Sequence, residues 1–400
     1  MSQASIKVSL SQPKAPEGLI VPASAPPLLD PAGPEVVLGG ADPMVGAVAP
    51  SASSMFGPRG AHLFSDGSLW VADTGHHRLL GWRQTPIEDG TPADWVIGQP
   101  DFESEGRNAL AEYARAGTLN VPTGVSTFAG HGGLVVADAW NNRVLIWRER
   151  PTASHVPADI ILGQADPQGQ VPNRGGEPTA STMHWPFATL VVGDQLFVAD
   201  AGNRRILIWN ELPTETGQPA DAVLGQPHLT SRSDNGGTDA GPKSMRWPHG
   251  LAVSRGRLIM SDAGDNRVLI WNDLPRTDNV PADMVLGQAD FVGVDHNQSS
   301  YWPRADTMNM PYALAAYDDL ILVGDTANSR LLGFSGLLND GAEASRLSGQ
   351  DGWQMKGDNR WGPAVRDSVC WPYGLQTKDD IVVVADTGNH RICLWRLAAS

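Results

Sequence analysis

Two cysteines in 400 residues exclude a disulfide-stapled scaffold, and no Cys-x-x-Cys pair offers a zinc knuckle. Lysine is scarce, five copies against 24 arginines, and the net charge is −15. That balance argues against nucleic acid held on a basic surface. No apolar run approaches the roughly 20 residues of a membrane helix, so no membrane partner is expected. The first residues lack a basic start followed by an apolar core, so they do not read as a secretory signal. The expected location is the cytoplasm. No phosphate-binding Gly-x-x-x-x-Gly-Lys loop, dinucleotide fingerprint or ordered Ser-His-Asp series occurs either.

What the chain does have is a repeat. An apolar run ends at Asp73, Asp138, Asp200, Asp262, Asp325 and Asp386, spaced by 65, 62, 62, 63 and 61 residues. A fixed period of this size means one supersecondary unit stacked on itself. The runs are continuously apolar and short, which suits strands buried on both faces. Five residues after each Asp an Arg opens a second run, which ends at Trp82, Trp147, Trp209, Trp271, Phe334 or Trp395. Gly stands two places after Asp in four copies, read here as the positive-φ residue of a tight hairpin. A further run ends in Gly-Gln, and after a long loop a Pro (58, 122, 186, 248, 311, 372) opens the next unit. Pro is tolerated at a strand's first residue. Each unit thus holds four strands, labelled a (after Pro), b (to Asp), c (from Arg) and d (to Gly-Gln).

Four-stranded sheets repeated radially make a β-propeller. Near the start, Glu35 to Gly40 matches strand d, and the last run is a strand c. The N-terminal strand, about residues 35–39, therefore completes the sixth blade and removes an open edge. The predicted fold is all-β: a six-bladed propeller of four-stranded antiparallel blades over 35–400, behind a flexible Pro/Ala/Ser-rich tail at 1–34.

The turn in Val384-Ala385-Asp386-Thr387-Gly388-Asn389-His390-Arg391 resembles the NHL repeat. The resemblance implies the same propeller fold. Some NHL-like propellers are lyases that hold a metal with channel-mouth histidines. Here His184 and His249 would be the matching positions, with Cys370 or an Asn as supplement. Two histidines fall short of a zinc site with three protein ligands. Calcium on Asn120 and Asn309, as in lactonase-type propellers, would lack the carboxylates that hard cations favour.

In an antiparallel blade the b–c turns and d–a loops share one face, the top. Long loops on a rigid scaffold commonly carry function. Residues flanking the six Pro should ring the channel mouth. One place after Pro stand Arg59, Thr123, Phe187, His249, Tyr312 and Tyr373. Two places before stand Phe56, Asn120, His184, Arg246, Asn309 and Cys370. They vary inside a regular frame, as a funnel-shaped site would.

Fourteen tryptophans divide by position. Those closing strand c, and Trp185, Trp247 and Trp371 before the blade-opening Pro, belong to the repeat and read as core. Trp140, Tyr301, Trp302, Trp353 and Trp361 fall on top-face turns and loops. Interfaces favour Trp, Tyr and Arg, so these are the candidate contacts for a protein partner. The alternative is that they pin their own loops. The six Asp/Arg pairs read as structural, since a catalytic pair is needed once. The expected function is a non-catalytic binding or scaffold module with no required cofactor. A metal-dependent lyase or hydrolase at the channel mouth, using zinc or calcium, and small-ligand binding in the channel are the alternatives.

Overall fold

The computed structural model describes residues 25–40, 48–128 and 132–399. Its strands form six four-stranded antiparallel sheets. Blade 1 runs from Gly60–Leu63 through Leu69–Asp73 and Arg78–Trp82 to Trp95–Ile97. Blades 2 to 5 repeat that order with strand a at Pro122–Phe128, Pro186–Val192, Pro248–Ser254 and Pro311–Tyr317. Blade 6 joins Pro372–Lys378, Ile381–Asp386 and Arg391–Arg396 to the N-terminal Val36–Gly39. The closing register pairs Val36 with Leu394, Val37 with Cys393 and Leu38 with Ile392. The ring is sealed as the strand count requires. Among the described residues no helix is long and apolar enough to cross a membrane.

The core lies between the blades. Leu38, Ile392 and Leu394 of blade 6 pack on Leu69, Val71 and Leu80 of blade 1, and each later pair of blades encloses a similar cluster. Both faces of every sheet are therefore covered, which is why strand b reads as an unbroken apolar run.

The expected tail ends earlier than residue 34. Leu28 and Leu29 are buried, and Pro27 and Leu29 bridge to Leu347 and Leu397. The reason lies in the ring closure. In blades 1 to 4 the strand-c Trp indole donates to a carbonyl nine residues on: Thr91, Val156, Gln218 and Val280. In blade 6 the Trp395 indole donates instead to the Asp30 carbonyl at 2.8 Å, so the segment before Val36 takes the place that the linker holds in those blades. Residues 1–24 lie outside the described residues.

The recurrent polar frame is a staple. Each repeat Asp is fully buried. Its Oδ1 accepts the amide of the residue two before Pro, as for Phe56, Asn120, His184 and Cys370, all at 2.7 Å. Its Oδ2 pairs with the Arg Nε at 2.6–3.1 Å in all six blades. The rest of each guanidinium satisfies loop carbonyls on either side, Pro167, Arg115 and Thr118 in the case of Arg143. A buried charge is tolerable only when paired and hydrogen-bonded in this way. The Gln of four Gly-Gln pairs binds three carbonyls, as Gln164 does those of Asn141, Asn142 and Val171, and Gln226 binds two.

One turn reading is corrected. The positive φ falls on the residue before Arg (His77, Asn142, Arg204, Asn266, Ser329, His390), between +49° and +56°. The turn Gly serves close approach instead. A Cβ at Gly202 would sit 2.5 Å from the His184 carbonyl, and one at Gly388 would strike the Cys370 sulfur. The two turns without Gly, at Trp140 and Ala327, donate their amides to the carbonyls of Asn120 and Asn309. Nor are the long loops free to diverge. Each carries an Asn nine residues after its Gln, at 108, 173, 235, 297 and 359, with φ near +50°. Asn108, Asn173, Asn297 and Asn359 bond the turn Asn of the next blade.

Candidate functional site at the channel mouth

The twelve Pro-flanking residues do not form one ring. The residues after Pro point into the channel, and four form a continuous aromatic arc. Phe187 lies 4.2 Å from His249, His249 4.3 Å from Tyr312, and Tyr312 stacks on Tyr373 at 4.5 Å and 16°. The Arg59 guanidinium sits 4.8 Å from the Tyr373 ring centre and closes the arc. Thr123 is buried and donates to the Phe187 carbonyl. These side chains cap a cavity of about 80 Å³.

The floor of that cavity is set by small residues. Two places after each Pro stand Gly60, Gly124, Ala188, Gly250, Ala313 and Gly374. A Cβ at Gly60, Gly124, Gly250 or Gly374 would run into the carbonyl of Thr123, Phe187, Tyr312 or Arg59 on the next blade. None of these four has a positive φ, so space alone requires glycine. The inner strands pinch the channel here, and the aromatics roof it.

The residues two before Pro stand over the b–c turns. Phe56 packs on the rings of His76 and His390. His184 meets Gly202, and burial holds its imidazole below the ordinary range. Asn309 rests half-buried with its amide on Asp325. Cys370 packs on Gly388, and burial pushes its thiol up to about 12. Cys393 is also a free, buried thiol. His184 does not line the channel cavity that His249 faces. Among the described residues no three His, Cys, Asp or Glu side chains gather as a metal cluster. The histidine pair therefore supplies no common site.

His249 itself is neutral. Its Nδ1 donates to the Trp247 carbonyl at 2.8 Å, and burial pushes its pKa down to about 3. The tautomer is fixed, with Nε2 as a bare acceptor. Burial likewise raises the Tyr312 phenol above its ordinary range, so it stays a protonated donor.

Tryptophan placement departs from the sequence reading. The strand-c tryptophans are buried, whereas Trp185, Trp247 and Trp371 are 44%, 38% and 48% exposed. Trp185 and Trp371 have φ of +58° and +50°, whereas Trp247 is exposed without a positive φ. They stand directly beside the channel-lining positions of blades 3, 4 and 6, and the Arg246 guanidinium lies 5.4 Å from the Trp247 ring. Of the loop aromatics, Trp140 and Trp361 are both 55% exposed. Tyr301 is exposed but carries the Lys356 ammonium 3.6 Å from its ring, with Trp302 edge-on at 4.8 Å. Trp353 is half-buried against the blade 5 cluster, and its carbonyl binds Arg330. These last three are engaged within their own loops.

One turn breaks the frame chemically. Its third position is Asn141, Asn203, Asn328 or Asn389 in four blades, each donating to the repeat Asp at 2.7–2.8 Å. In blade 1 it is His76, buried and bonding Asp73 at 2.8 Å. In blade 4 it is Asp265, buried beside Asp262, its Oδ2 without a hydrogen bond and 3.4 Å from Arg267 Nη2. Burial first, and the Asp262 charge second, push Asp265 up to about 7. It lines a recess of about 340 Å³ with Asp234, Asn235 and Arg246.

Solved structures resemble the chain at low identity. The chain is similar to a streptogramin B lyase structure at 10% identity and TM-score 0.45, covering 88% of this chain and 95% of that one. It is similar to virginiamycin B lyase from Staphylococcus aureus at 9% and 0.43, covering 87% and 98%. U3-55K gives 11% and 0.45, covering 87% and 100%. Likeness at this level concerns fold alone. No family model matches the chain, and no curated protein does.

Proposed function

We propose that this chain is a non-catalytic binding module of NHL-repeat type that docks a protein partner through its top face. Such a module would serve as a scaffold or accessory factor of a larger complex. The observation that supports this reading is the exposed rim of Trp185, Trp247 and Trp371 beside the channel mouth. Large aromatics held out on a rigid frame are the anchors that interfaces favour. Trp140 and Trp361 extend the same face. Tyr301, Trp302 and Trp353 contribute less, because their contacts are already satisfied.

The test compares two baits in an extract of the source cells: the wild-type protein and a Trp185→Ser/Trp371→Ser double variant. A partner enriched by the first and lost by the second, with melting temperatures unchanged, supports the reading. Anchor truncations cost about 2 kcal/mol or more each, so the loss should be nearly complete. Equal recovery by both baits, or no enriched protein, overturns it.

A further inference from the structure

We propose that the channel mouth is a carboxylate pocket in which Arg59 is the counter-ion. This goes beyond the docking reading and rests on the mouth alone. The six turn arginines are each paired with a buried Asp. Arg59 is different. It is half-buried at the channel axis of a protein with net charge −15, and no acidic residue lines its cavity. Among the described residues its guanidinium has no carboxylate partner, only the face of Tyr373. A guanidinium placed this way presents a planar fork of donors that matches a carboxylate.

The neighbours define the ligand further. His249 is neutral with Nε2 as an acceptor, so the pocket carries one positive charge and suits a monoanion. A phosphate dianion would want a second cation. The stacked rings of Tyr312 and Tyr373 form one wall and offer two phenol donors. The cavity of about 80 Å³ is smaller than the roughly 150 Å³ that holds a benzene molecule. It therefore admits a carboxylate head and its first carbons, with the remainder of the ligand outside on the aromatic rim. That head belongs either to a small organic acid or to the free C-terminus of a peptide.

Titration calorimetry and saturation-transfer NMR on the full chain distinguish these. The probes are propionate, benzoate, and an acetylated Ala-Ala-Ala-Phe peptide with a free or an amidated terminus. Saturable binding is expected, weakened at least tenfold by Arg59→Gln and a few-fold by Tyr373→Phe, which keeps the stack. Binding of the small acids alone identifies a small-molecule site; binding of the free but not the amidated peptide identifies a chain terminus. Arg59 holds no buried partner, so the variant should fold, and its melting curve checks this. No saturable binding of any carboxylate at about 10 mM, equal binding of both peptides, or affinity unchanged by Arg59→Gln overturns the proposal.

Discussion

Asp265→Asn should stabilise this protein, and by an amount that grows with pH. In four blades the same position is an asparagine whose Nδ2 donates to the repeat Asp. An aspartate can make that bond only when protonated. Asp265 is instead set against Asp262, with Arg267, Arg246 and Asn235 the other groups facing it. Burial and the like charge raise it to about 7 from an ordinary 3.8. The gap corresponds to a ceiling of about 4 kcal/mol at roughly 1.4 kcal/mol per pH unit. The adjoining recess admits solvent, so about 2 kcal/mol is the working expectation. The sign follows from linkage: the folded state binds the proton more tightly than the unfolded state. The carboxyl is therefore harmless below about pH 4, increasingly destabilising from there to about pH 7, and fully so above. Thermal melts from pH 4 to 8 should show the variant's advantage absent at the acid end and reaching several degrees at the other. A variant less stable at pH 8, or an advantage independent of pH, would refute the reasoning.

Other substitutions test the frame. Asp138→Ala strips Arg143 of its only carboxylate and frees the Asn120 amide, and should cost about 3–5 kcal/mol in denaturant melts. Leu28→Ala opens a cavity beneath the segment that latches blades 5 and 6. A loss of about 2–5 kcal/mol is expected, whereas a free tail would show none. Gly124→Val drives a side chain into the Phe187 carbonyl at the channel waist and should yield no folded protein by circular dichroism.

The blade count, strand order and closure were legible because each rests on a residue type that satisfies a buried group at a fixed spacing. Asp and Arg staple the loops, Gln collects two or three carbonyls, and Pro opens strand a without a ladder donor. The Pro-x-Gly/Ala waist and the Asn nine residues past each Gln were equally periodic but lay among varied neighbours. Trp185, Trp247 and Trp371 misled because they repeat as core residues do. In the structure all three rings are 38–48% exposed. His184 stands two residues before its Pro and His249 one after, so one stands over a turn and the other faces the channel. Offsets of three residues, from two before Pro to one after, separate those directions.

The claim on which the channel mouth depends is the pairing of the first ordered strand with the last. Val37 lies directly opposite the native Cys393. The Val37 amide and carbonyl turn away, to Asp89 and Gly90, so the two residues form a non-hydrogen-bonded pair. Such pairs hold Cα atoms about 4.5 Å apart, within disulfide range. Val37→Cys should therefore form an intramolecular disulfide with Cys393 under mild oxidation, read as a shifted band on a non-reducing gel and a cross-linked peptide by mass spectrometry. Val36→Cys and Leu38→Cys, on the opposite face of the strand, should not. Absence of the Cys393 link in Val37→Cys, or equal linking in all three variants, would contradict the closed six-bladed ring.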